Sequence, residues 1–137
     1  MIETNGFAGP QAYIPLLPYL DMVLIDFKTI NPIQHEKLTG KPLDSVLDSI
    51  RFFYEKGKLQ AVQQVIVPGY TDDDHRIQQT AQFLCGINPD IRLKLLRFRS
   101  HGVSGSALEW QSPSDETMDF LVRTAHINGL TFVERSL

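Results

Sequence analysis

Cysteine is almost missing from this sequence: Cys85 stands alone in 137 residues. That excludes an intrachain disulfide, and with it any metal or cluster site built on several thiolates of this chain. Cys85 falls with Ile77, Ala81 and Leu84 on the apolar side of a helical pattern. A free thiol in that setting packs as a small core residue. Long hydrophobic runs are missing as well. No apolar stretch approaches the roughly 20 residues of a membrane span, and the N-terminus has no basic-then-apolar leader. Nor is there an excess of positive charge: 13 Lys and Arg stand against 16 Asp and Glu, a net charge of −3. Such a balance argues against broad binding to nucleic acid or to an anionic membrane. The expected compartment is the cytoplasm.

What is present reads as one globular domain spanning residues 1–137, with 42% hydrophobic and 21% charged residues. Short strand patterns alternate with helical ones. Ile2-Glu3-Thr4 starts a strand and runs into a turn at Asn5-Gly6. A Pro-interrupted helical stretch follows, and then a strand over residues 22–28 whose apolar run predicts cover on both faces. Asn31 as N-cap, Pro32 at the first helical position and Gly40 as the stop define the next helix. A helix over 43–56, a strand over 59–67, a helix over 74–86 and a strand over 91–98 continue the alternation. Thr71 with Asp74 resembles a capping box. A polar, Gly-containing loop leads to Ser112-Pro113-Ser114-Asp115, which caps a last helix, and residues 130–134 close as a strand. This order predicts an α/β fold with a parallel sheet and helical crossovers. A complete eight-fold barrel needs about 250 residues, so the chain holds about half of one. The first strand has almost no lead-in, which predicts a truncated chain.

In parallel α/β sheets, ligands bind at the C-terminal ends of the strands. Those ends offer Glu3, Thr4, Asn5 and Gly6; Asp26 and Lys28; Gln63, Val65, Val67, Pro68 and Gly69; and Arg97, Arg99 and His101. Each has a plainer reading. Asp26 and Lys28 two residues apart on a strand make a structural ion pair, Asn5-Gly6 a turn, and Asp72-Asp73-Asp74 a favourable charge at a helix N-terminus. His35, His75 and His126 read as polar residues on solvent-facing helix sides, while His101 stays open between the two readings.

The order of these segments is more specific than any one of them. "ETNGF", "VLIDFK", "VIVPGYTDDD" and "LKLLRFRSHG" together resemble the C-terminal half of the glycyl-radical-enzyme activating enzymes, of which the pyruvate formate-lyase activating enzyme is the best-known type. Val67 to Asp72 and the Asp26-x-Lys28 pair carry most of the resemblance. It implies the C-terminal part of a partial (β/α)6 TIM-like barrel. It also implies a radical S-adenosylmethionine (SAM) oxidoreductase whose N-terminal half holds a [4Fe–4S] cluster on a Cys triad. There the cluster reduces SAM to a 5′-deoxyadenosyl radical, which takes hydrogen from a backbone glycine of a partner glycyl radical enzyme.

By the same resemblance, Asp26 binds the SAM ribose, Lys28 contacts SAM and its surroundings, and Val65 passes the adenine. Glu3 and Thr4 match residues that hold a monovalent cation beside SAM. The sequence departs from the family pattern at three places. Glu3 replaces an Asp, Gln63 replaces a basic residue, and Arg97-Phe98-Arg99 replaces Pro-Tyr-His, leaving the ribose-side histidine role to Arg99 or His101. No catalytic residue and no iron–sulfur ligand is expected in this chain, so by itself it should be inactive.

Two other readings stand beside this one. An aldolase-like barrel fragment would use Lys28 as a Schiff-base amine, although Asp26 beside it would hold the amine protonated. A non-catalytic interaction module would keep the half-barrel alone. Whichever holds, an open edge at residues 1 to 5 and an uncovered apolar face of "MVLIDF" and "VQQVIV" predict a homodimer.

Overall fold

The computed structural model describes residues 1–137 and contains five strands, all parallel, in the order β1-β2-β3-β4-β5. The strands are β1 (Ile2–Thr4), β2 (Val23–Asp26), β3 (Leu59–Ile66), β4 (Leu93–Arg97) and β5 (Val133–Arg135). Spatial order equals chain order, as expected when each crossover returns to the adjacent position. The crossovers are α1 (Pro10–Tyr13) with a 3-10 turn at Ile14–Tyr19, then α2 (Pro32–Thr39) and α3 (Asp44–Glu55), then α4 (Asp74–Ile87), then α5 (Asp115–Ile127). A second 3-10 turn, Gly105–Glu109, interrupts the loop before α5.

The helix caps follow the local chemistry. Asn31 accepts the Gln34 N–H at 2.9 Å, and Gly40 ends α2 at φ +71°. Ser114 accepts the Thr117 N–H at 3.1 Å and starts α5. Helix α4 differs from the capping-box expectation: Asp73 is its N-cap and accepts from the Arg76 N–H. Thr71 is used elsewhere.

One face of the sheet carries the core. Val23, Ile25 and Phe27 of the β2 segment join Val62 and Ile66 of β3 and Leu93 and Leu95 of β4. They pack on Val46, Ile50 and Phe53 of α3, Ile77, Ala81 and Leu84 of α4, and Met118, Leu121 and Ala125 of α5. Cys85 is half-buried at the edge of this cluster rather than inside it. Strand β3 carries a register shift opposite Val23 and Leu24, which skips Gln60.

The opposite face is open, and this corrects two expectations. From Val23 to Thr29, buried residues alternate with partly open ones, so the strand is covered on one face rather than both. The residues on its open side are Leu24, Asp26 and Lys28. Register places Glu3 beside Leu24, Asp26 beside Gln63, Gln63 beside Lys94, and Lys94 beside Glu134. That face is mixed, with Leu24, Ala61, Val65 and Leu96 set among the polar residues, rather than the continuous apolar surface expected of "MVLIDF" and "VQQVIV". The two-residue period of a strand sends every second side chain to the helices, and there the fully buried branched residues Val23, Ile25, Val62, Ile66, Leu93 and Leu95 go.

Candidate functional site

At the C-terminal end of β2 the alternation continues past the last paired residue. Phe27 and Thr29 turn into the core while Asp26 and Lys28 project together on the open side. Their side chains meet at 2.5 Å, with Asp26 24% and Lys28 41% exposed. An ion pair this open to solvent contributes little stability. The backbone beneath it is held firmly: the Phe27 N–H donates to the Gln63 C=O at 2.7 Å, and buried Gln64 donates to the Lys28 C=O at 3.2 Å.

Strand β3 ends in a turn that its own side chains lock. The Thr71 hydroxyl accepts the Val67 N–H and donates to the Val65 C=O, both at 2.7 Å. Asp72 accepts the Gly69 N–H at 2.9 Å, and Gly69 takes φ +81°, which a side chain would resist. Val67, Gly69, Thr71 and Asp72 of the Val-Pro-Gly-Tyr-Thr-Asp segment thereby each have a structural reason. The turn presents Val65, Val67 and Tyr70 to a cleft of about 530 Å³, closed on its far side by Leu96, Phe98 and Trp110. The Trp110 ring lies tilted against both neighbours, its centroid 4.7 Å from that of Tyr70 and 5.6 Å from that of Phe98. Lys28, Arg97 and Arg99 are its charged lining. The walls are apolar and aromatic with cations at the margin, which suits a flat ring system carrying a polar tail.

The structure brings some of the predicted site residues together and separates others. Lys28, Val65 and Arg99 line this cleft, and Asp26 reaches it through Lys28. Glu3 lies on the same open face but accepts from Gln63 at 2.5 Å, across β2. Thr4 points the other way: its hydroxyl meets Tyr13 at 3.0 Å and accepts the Gly6 N–H at 3.2 Å. The side chains of Glu3 and Thr4 therefore do not converge on one ion. His101 lies outside the aromatic cleft, in a neighbouring opening with Arg97, Arg99, Ser112 and Asp115. Arg99 donates to the Leu137 C=O at 2.6 Å, and Arg97 turns to Asp115 and the Pro113 C=O. Asn5 and Gly6 form a true turn: Asn5 accepts the Phe7 N–H, and the Gly6 C=O accepts from Ser49 of α3.

A second cleft, of about 220 Å³, lies on the other side of Lys28. Its lining includes Asp26, Lys28, Asn5, Lys41 and a residue that the sequence places wrongly, His35. His35 is 3% exposed, not solvent-facing, while Ile33 and Leu38 of the same helix are exposed. Burial, and then the positive charge of Lys28, hold its imidazole below the ordinary pKa of 6.5. The one sequence signal for it is the polar stripe Asn31, His35 and Thr39 at four-residue spacing. His75 and His126 are exposed, as their helical positions predict.

No family model matches the chain. Individual proteins do. Over 92 residues the chain is 30% identical to a pyruvate formate-lyase-activating enzyme of Streptococcus mutans, a match spanning 67% of this chain and 35% of that protein. An indoleacetate decarboxylase activating enzyme of Tractidigestivibacter scatoligenes is 28% identical over 84% of this chain and 39% of its own length. A pyruvate formate-lyase-activating enzyme of Staphylococcus aureus is 28% identical over 96% of this chain and 55% of its own length. The chain is a relative of the activating enzymes. It spans between about a third and a little over half the length of these relatives.

The fold agrees with the relationship. A domain of a pyruvate-formate lyase-activating enzyme from Bacteroides vulgatus superposes with a TM-score of 0.77, covering 98% of this chain and 79% of that one at 18% identity. A radical SAM methyltransferase from Sphaerobacter thermophilus gives 0.70 over 98% of this chain and 39% of its own. The five parallel strands with their outer helices are thus the barrel-like sheet found in radical SAM domains. No helix is long and apolar enough to cross a membrane.

Proposed function

We propose that this chain is the C-terminal portion of a radical SAM activating enzyme, and that the aromatic cleft and the Asp26–Lys28 pair form its share of the SAM site. The observation that carries this is the meeting, at one rim, of the locked Val67-to-Asp72 turn, the Asp26–Lys28 pair and an apolar cleft of about 530 Å³. These residues fit the cofactor. Val65, Val67 and Trp110 offer apolar faces to the adenine. Asp26 engages Lys28 through Oδ2 and keeps Oδ1 to accept from a ribose hydroxyl. Lys28 and Arg99 add positive charge for the carboxylate end of the ligand. When bound, SAM supplies the hydrogen-abstracting group; the residues of this chain bind it, orient it and exclude water from it.

A [4Fe–4S] cluster does not fit this chain. Such clusters are held by several Cys thiolates, and Cys85 is alone on α4, away from the rim. No step is assigned to a cluster, and the chain by itself is expected to be silent. Hydrogen abstraction from a glycine of a partner glycyl radical enzyme belongs, on this proposal, to the full-length protein. The aldolase-like alternative is disfavoured because Asp26 engages the Lys28 amine in an ion pair.

Calorimetry with SAM and with adenosine tests the assignment. Removing a charge-assisted hydrogen bond by Asp26→Ala should cost about 1.5–3 kcal/mol, or about 10- to 150-fold in affinity. Binding that survives Asp26→Ala unchanged would overturn the ribose contact.

A further inference from the structure

We infer that buried Gln64 is a positioning residue, acting through the Lys28 main chain to hold the Asp26–Lys28 pair ready for a ligand. What the pair binds rests on the SAM reading; the hold on Lys28 does not. Gln64 is out of place in its own strand. It is 1% exposed on the helix-facing side of β3, between Val62 and Ile66 and opposite Leu95, all three fully buried. A position covered in this way calls for an apolar side chain. The Gln64 Oε1 is buried with no partner, which adds to the cost. Where a core position breaks the local rule at such a cost, a functional reason is expected.

The reason lies one strand away. The ladder between β2 and β3 ends with the Phe27 N–H on the Gln63 C=O at 2.7 Å. Continued, a parallel ladder would next use the Val65 C=O, two residues along. That oxygen accepts the Thr71 hydroxyl at 2.7 Å instead. Neither the N–H nor the C=O of Lys28 has a backbone partner. Gln64 supplies the missing rung. Its Nε2 donates to the Lys28 C=O at 3.2 Å, the one hydrogen bond that the Lys28 main chain makes. Beyond it, Thr29 is fully buried and accepts the N–H of Asn31, the α2 N-cap, at 3.2 Å. Gln64 thus ties down the peptide between two anchored neighbours, and with it the side on which Lys28 meets Asp26. A pair already held in place needs no ordering when a ligand arrives.

The test compares the intact chain with Gln64→Met, which keeps the side chain's length and loses its donor. Gln64→Leu is a second variant with the same expectations. Backbone amide relaxation by NMR reads the order of residues 27–29 without ligand, and calorimetry reads SAM affinity. Order at Lys28 and Thr29 should fall in both variants. The urea midpoint should hardly move, because the newly unpaired Lys28 C=O offsets the relieved Oε1. SAM should bind about 5- to 30-fold more weakly, the factor for ordering the backbone of one residue. Thr80→Val, which removes another buried polar side chain, on α4, should change neither order nor affinity. Unchanged order in the Gln64 variants would overturn the inference, and so would lost order with unchanged SAM affinity. A midpoint that falls in step with affinity, or an equal effect of Thr80→Val, would show general loosening of the core and overturn it too. If SAM binding ignores Asp26→Ala, the SAM reading fails, and the relaxation result alone decides the role of Gln64.

Discussion

Helix α2 exposes Ile33 and Leu38 and buries His35, the reverse of an amphipathic surface helix. The inversion places an imidazole beside the Asp26–Lys28 pair, and it has a consequence for pH. The groups facing His35 are Lys28, Lys41 and Asp26. Its folded-state pKa lies below 6.5, so on acidification the unfolded chain takes up a proton that the folded chain resists. Stability is therefore full above that value and declines as pH falls below it. Urea midpoints measured from about pH 7.5 down to about pH 5 should fall, and fall less steeply in His35→Gln. An identical pH slope in the two proteins would show that another group is responsible.

Among the elements, the turn after β3 matters most to the cleft. Thr71 is 5% exposed, and its hydroxyl joins the Val65 C=O to the Val67 N–H, so the two valines of the cleft wall hang on one side chain. Thr71→Val keeps the shape and removes both bonds. Leaving that buried N–H and C=O unpaired should cost about 1–3 kcal/mol, read as a lower urea midpoint at unchanged slope. Ligand affinity in the cleft should fall with it, since Val65 and Val67 lose their fixed spacing. A fully stable Thr71→Val would mean that the turn is held by Asp72 and Gly69 instead.

On the scale of the molecule, the sheet is open at both margins. Strands β1 and β5 each have one neighbour, and each is only three residues long. The polar residues from Glu3 to Glu134 interrupt Leu24, Val65 and Leu96 and leave little apolar driving force for self-association through the open face. Any pairing of copies must then come from the unpaired backbone of the β1 edge, helped by Ile14, Leu16 and Tyr19, which the first crossover exposes. On this reading a homodimer joined across a two-fold axis is the expected state of the chain. Sedimentation over the micromolar range should show a concentration-dependent shift from monomer to dimer, weakened by Glu3→Pro, which removes an edge N–H. A monomer at every concentration would show that short edges of this kind protect themselves.

The sequence by itself determined the alternation of strands and helices, the caps at Asn31 and Ser114, and the rim on which Asp26, Lys28 and Val65 stand. Each of these depends on neighbours in the chain: a period, a cap or a turn residue reads over a few positions. The order of four short segments was also enough to point to the activating enzymes. Only the tertiary structure decided which side of β2 is covered, because an apolar run looks the same whether one face or both are buried. It decided that Thr4 turns away from Glu3, that Thr71 locks a turn instead of capping α4, and that Trp110 comes to lie against Tyr70. It also decided the burial of His35. That residue's surroundings come from the β1–α1 loop, β2 and the start of α3, and contacts between segments so far apart leave no local pattern in the chain.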